Sequence, residues 1–144
     1  MQETAAVLPP AEPCVPTPTI GLIDPPAWAC DPSNEMRLIP QLRNAARSHS
    51  DDMIAQGYFD HDSPNEAWDV RVGRYLKSSL VGEDIAWGTG SYGTPEGIVS
   101  QWMHSAPHRH IILMAGMHRV GLGITTGTFS GTRGAVMATA DFSA

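Results

Sequence analysis

Six histidines, at positions 49, 61, 104, 108, 110 and 118, are the side chains of this sequence best suited to chemistry. A neutral imidazole ligates metal and exchanges protons near neutral pH. Three of them crowd into the run His104-Ser105-Ala106-Pro107-His108-Arg109-His110. His104 and His108 have the four-residue spacing that sets two side chains on one helical face, a usual arrangement for metal. Pro107 between them interrupts a regular helix, so a solvated polar cap is the other reading of this cluster. His49 falls on an apolar stripe, which makes it either a hydrogen-bonded core residue or an inward-facing ligand. Glu83, in Gly82-Glu83-Asp84-Ile85, sits in a short apolar run where acids are depleted. It requires a histidine, a cation or solvent as its partner, unless it lies on an exposed edge. No G-x-S-x-G elbow, HExxH pair, Walker loop or dinucleotide fingerprint is present.

The elements that must position these residues follow from the periodicity. From Leu38 the pattern is helical: Leu42, Ala45, Ala46, His49 and Met53 share one stripe, and Gly57 ends it. A second helix is predicted from Ser63 to about Leu76, with Ser63 as N-cap, Pro64 as first residue and Glu66 as the capping-box acid. Val81 to Trp87 is short enough for a strand. After Gly88, Gly90 and Gly93, the run Thr94-Pro95-Glu96 starts a helix that carries Ile98, Val99, Trp102 and Met103 and ends or kinks at Pro107. Val120, Leu122 and Ile124 then alternate with glycines, and Val136, Ala138, Ala140 and Phe142 alternate again after a turn-rich connection at 125–133. These two runs are predicted to be antiparallel neighbours. Helices followed by short strands and a closing hairpin give an α+β domain.

A chain of 144 residues suits one domain and buries about two-thirds of its surface. Its net charge of −6 argues against a nucleic-acid surface, which needs clustered Lys and Arg. No run of 18 apolar residues is present, so no transmembrane segment is expected. Eight of the 12 prolines precede residue 33, while 13 of the 14 glycines follow residue 56. Residues 1–32 therefore read as a Pro-rich N-terminal arm and residues 33–144 as the domain. Cys14 and Cys30, the two cysteines, both lie in the arm. They either remain thiols or, in an oxidising compartment, close a disulfide worth about 3 kcal/mol. Met1 runs straight into Gln-Glu-Thr without a basic and apolar leader, which reads as a mature chain after signal removal. Secretion, to the exterior or a periplasm, is the expectation.

The order of the motifs is more specific than any one of them. AARSHSDDMIAQGYFDHDSP, GEDIAWG, TPEGIVSQWMHSAPHRHIILMAGMHRVGLGI and the closing ATADF resemble, in sequence order, the signatures of bacterial CAP (SCP-like) domains. That superfamily includes cysteine-rich secretory proteins, venom antigens and plant pathogenesis-related proteins. The resemblance covers about residues 38–143 and implies an α/β/α sandwich around a central antiparallel sheet. It also implies a cleft where histidines and glutamates converge on a divalent metal. Carried over by position, the ligands are His49, Glu83 and His108, with zinc the suited ion and water in the open position. His61, Asp84, His104, Ser105 and His110 are secondary candidates. Ser105 stands where plant and animal members carry a second glutamate, Asp84 where Asn is usual, and Ile111 where bacterial members have Asn. The family's opening helix is not recognisable before Pro40.

Two functions follow as expectations. One is a secreted, extracellular binding module with a metal-capable cleft that recognises a lipid or protein ligand. The alternative is a metal-dependent, peptidase-like hydrolase using the same cleft, with zinc-bound water and Glu83 or Asp84 as base. If Glu83 is a ligand it is not free to act as the base, which favours binding. A purely structural domain is the third reading.

Overall fold

Helix α1 (Pro40–Gln56) forms where the apolar stripe was read, with Pro40 in its first turn and Gly57 ending it at φ 71°. That left-handed conformation suits glycine, and the Gly57 N–H closes on the Met53 carbonyl. The computed structural model describes residues 35–144. The expected Pro-rich arm, its boundary with the domain, and the Cys14–Cys30 disulfide lie outside the described residues.

The second helix differs from expectation. α2 spans only Trp68–Tyr75, and Ser63 and Glu66 pair instead as an isolated antiparallel bridge. Ser63 is not an N-cap: its N–H donates to the Glu66 carbonyl at 2.9 Å. The chain turns through Pro64 and Asn65, and Asp62 Oδ1 accepts the Trp68 N–H at 2.9 Å to start the helix. α3 (Pro95–His104) begins as read, with the Thr94 hydroxyl accepting the Gly97 N–H. The chain breaks at Ser105, and α4 (Ala106–Ile112) places Pro107 in its first turn, where a missing N–H costs nothing.

The sheet runs β1 (Arg37–Leu38), β3 (Arg119–Phe129), β4 (Thr132–Ser143) and β2 (Val81–Gly88) in spatial order. β3 and β4 form the expected antiparallel hairpin, but longer than read. The connection contracts to Ser130 and Gly131, both at positive φ, as a two-residue turn requires. β2 is antiparallel to β4, while the two-residue β1, absent from the sequence reading, joins β3 in parallel.

Two cores flank the sheet. On one face Met53 and Ile54 of α1 meet Ile85, Phe129, Ala135 and Met137. On the other, Ile98, Trp102, Ile111 and Ile112 from α3 and α4 cover Ala138, Ala140, Phe142 and Val120. Alternate β4 residues thus serve opposite faces, giving the helix–sheet–helix layering. Gly121 and Gly123 face α1, and a Cβ at either would collide with the helix backbone at Leu42–Arg43 or Ala46–Arg47. Their absent side chains let α1 rest on the strand.

Candidate functional site

β2 is the outer strand at this side of the sheet, and α1 and α2 meet beside it. Glu83 lies on β2 opposite Asp141 of β4. Residues directly opposite in an antiparallel pair share a face, so two acids stand side by side, both buried. His49 points down from the inward stripe of α1 and is fully buried. Its Nε2 lies 3.9 Å from Glu83 Oε1. His61, from the loop after α1, approaches the same oxygen at 2.8 Å through Nδ1.

The centre of this group is Arg71 of α2, only 4 % exposed. Its Nη2 pairs with Glu83 Oε2. Its Nη1 donates to the His61 carbonyl and to His49 Nδ1, each at 3.0 Å. His49 Nε2 in turn donates to the Asp60 carbonyl at 2.9 Å, which fixes the tautomer with a bare Nδ1 facing the guanidinium. Tyr58 closes the outer side, its hydroxyl donating to Asp52 Oδ2 at 2.6 Å and standing 3.4 Å from His49 Nδ1.

The electrostatics follow from burial. His49 is pushed down to about 4, by desolvation first and by Arg71 second. It is therefore neutral at physiological pH, as its hydrogen bonds require. Burial lifts Glu83, and Arg71 pulls it back. Asp141 is lifted too, by burial and then by the neighbouring Glu83. Like charges opposite each other are unfavourable, and both carboxyls accordingly hold a proton more tightly than an ordinary carboxylate. Asp84, one residue on and on the other face, is fully buried, with neither oxygen hydrogen-bonded, and burial raises it to about 7.

Of the expected ligand triad, the structure brings His49 and Glu83 together. His108 lines a different cavity of about 250 Å³, with Phe59, Trp87 and Trp102 around it, and its Nδ1 meets the Ser105 hydroxyl at 2.7 Å. Burial and then His61 lower its proton affinity. His104 is exposed on α3 and bonds the Ser100 carbonyl. His110 lies on α4 in a separate surface depression with Arg109 and Leu113. Among the described residues, no three His, Cys, Asp or Glu side chains stand where they could share a metal ion. The donor set at Glu83 does not fit one as it stands, because both nitrogens of His49 are engaged and the Arg71 guanidinium already sits on Glu83 Oε2.

Sequence reasoning missed Arg71 and Asp141, although a signal for the first existed. Trp68, Arg71, Val72 and Tyr75 fall at i, i+3, i+4 and i+7, so Arg71 belongs to the inward stripe of α2.

Over this group opens a cleft of about 830 Å³ between α1, the 63–66 turn and α2. Among the described residues lining it, Ala55 alone is apolar. α1 contributes Arg47, Asp51 and Asp52 to one wall, the ion-paired Glu66 and Arg74 belong to the other, and the buried His49 and Arg71 also line it.

Residues 32–142 match the family model of CAP, the cysteine-rich secretory protein family. The chain is 37 % identical over 84 residues to YkwD of Bacillus subtilis (strain 168), itself uncharacterised, covering 57 % of this chain and 32 % of that protein. An extracellular protein containing an SCP domain from Bacillus anthracis str. Ames superposes with a TM-score of 0.62 at 26 % identity, over 74 % of this chain and 33 % of that one. An outer surface protein from Borrelia burgdorferi shares the fold, with a TM-score of 0.63 at 16 % identity over 76 % of this chain and 77 % of that one. The chain spans about a third of the length of the two Bacillus proteins.

Proposed function

This chain belongs to the CAP family of cysteine-rich secretory proteins, and from that premise we propose that it is a secreted binding module whose α1–α2 cleft takes a polar segment of another protein. The observation that carries the reading is the composition of that cleft. A sterol or acyl chain needs apolar walls, and sites for such ligands are predominantly hydrophobic. Here Ala55 is the sole apolar lining residue among those described, and charges of both signs ring the opening. Such a surface exchanges hydrogen bonds and complementary charges with a peptide segment, as the polar parts of protein interfaces do.

The hydrolase alternative is disfavoured by the same geometry. A general base must reach the substrate proton within hydrogen-bond distance. Glu83 is 3 % exposed and held by Arg71 and His61, while Asp84 is fully buried on the other face. Secretion is supported by the extracellular description of the SCP-domain relative from Bacillus anthracis. No described helix is long and apolar enough to cross a membrane.

A displayed random-peptide library screened against the purified domain tests the reading. Selected peptides should bind in fluorescence polarisation and lose at least tenfold in affinity on Arg47→Glu or Asp51→Lys, about 1.4 kcal/mol. If those substitutions leave peptide affinity unchanged while the protein co-sediments with phosphatidylcholine–cholesterol vesicles, the lipid reading replaces it.

A further inference from the structure

We infer that Arg71 is a resident cation that occupies the place of a metal in the histidine–glutamate group and closes that group to divalent ions. The inference is independent of which ligand the cleft takes.

A zinc ion needs an unprotonated nitrogen at about 2.0–2.1 Å or a carboxylate oxygen at about 2.0–2.2 Å. His49 offers none: Nε2 carries the proton given to the Asp60 carbonyl, and the Nδ1 lone pair accepts Arg71 Nη1 at 3.0 Å. Each Glu83 oxygen already accepts a donor, Oε1 from His61 at 2.8 Å and Oε2 from the Arg71 guanidinium, so an ion could bind there only against or in place of one of them. One planar fork thus bridges the imidazole and the carboxylate between which an ion would sit, the geometry for which a guanidinium is suited.

Charge gives the same result. Arg71 neutralises Glu83 directly, so that pair is balanced without a further ion. A dication entering here would face a guanidinium 4 % exposed and unable to swing into water. Like charges repel strongly where water is scarce. Arg71 is also pinned from the backbone side, because Nη1 donates to the His61 carbonyl at 3.0 Å. The cation therefore ties α1, the loop after it, α2 and β2 together. The floor of the cleft keeps its shape whatever the metal supply.

Zinc titration of tag-free protein by calorimetry and thermal melting tests this. Wild type should show no zinc uptake that depends on Glu83, and its Tm should be unmoved by EDTA. Arg71→Ala, which frees His49 Nδ1 and Glu83 Oε2, should gain a zinc-dependent rise in Tm that Arg71→Ala/Glu83→Gln lacks. Arg71→Lys, keeping a cation, should resemble wild type. Zinc uptake by wild type that Glu83→Gln or His49→Gln abolishes would overturn the inference, as would a folded Arg71→Ala indifferent to zinc. If Arg71→Ala does not fold with or without zinc, the wild-type and Glu83→Gln titrations decide alone.

Discussion

Where α1 crosses β3 the interior is built from Gly121, Gly123, Ala45 and Ala46, with one hydroxyl pair, Ser50 and Thr139, bonded at 2.9 Å. A few residues away, at β2, an equally buried region is built from His49, Arg71, Glu83, Asp84 and Asp141. The first holds by closeness: at the two glycines no strand side chain separates helix from strand, so dispersion contacts are dense and no charge needs a partner. The second holds only while Glu83 keeps its cation Arg71, since an unpaired buried ion costs several kcal/mol. The steric region should therefore be indifferent to pH and intolerant of volume. The charged region should tolerate volume and respond to pH.

The strongest test of that contrast is Arg71→Met, which leaves Glu83 buried without its cation. It should lose about 3–5 kcal/mol in urea unfolding at pH 8. The loss should shrink on acidification, because a proton on Glu83 removes the unpaired charge. A loss of equal size at every pH would break the comparison. Gly123→Ala should cost about 3 kcal/mol, since its Cβ meets the α1 backbone rather than a movable side chain. Between pH 5 and 8 that loss should stay flat, and a sloping one would place titration where the contrast puts none.

A smaller effect, of opposite sign, is expected at Asp84. Its folded proton affinity is raised from an ordinary 3.8 to about 7. The native state therefore holds a proton that the unfolded chain has released between these values. The favourable contribution is fully present below about pH 4 and is lost as pH rises through about 7. Asp84→Asn should stabilise the protein by about 1–3 kcal/mol at pH 8, with the gain vanishing near pH 4. His49 runs the other way, its folded value lying at about 4 against 6.5. It contributes stability that falls as pH drops from 6.5 to 4, and His49→Gln should flatten that limb of a pH–stability curve. The smallest change is Thr94→Ala, which removes the cap of α3 and should cost about 1 kcal/mol at all pH values.

The steric region was largely legible in the sequence. The stripe from Leu42 to Met53 and the alternation around Gly121 and Gly123 are local periodicities, and each element repeats its own geometry. Ser63 misled because its capping pattern with Pro64 and Glu66 is equally compatible with a tight turn. What decided it was Asp62, which caps Trp68 from outside that window. The longer β3–β4 hairpin was hidden because Thr and Gly near its tip suit a turn and a strand edge alike.

Residue types and order alone determined the α+β class, the family resemblance, and the pairing of a histidine from the first helix with Glu83. Only the tertiary structure decided which charges surround that pair. Arg71 reaches Glu83 from 12 residues before it in the chain, and Asp141 lies beside Glu83 only through the β2–β4 register. His108, matched by motif, lines a neighbouring cavity with Phe59 and Trp87, within electrostatic reach of His61. Periodicity reports which side of its own element a residue faces. Which charge meets it there is set by the packing of separate elements, and that balance of charges separates a metal ligand from one half of a buried ion pair.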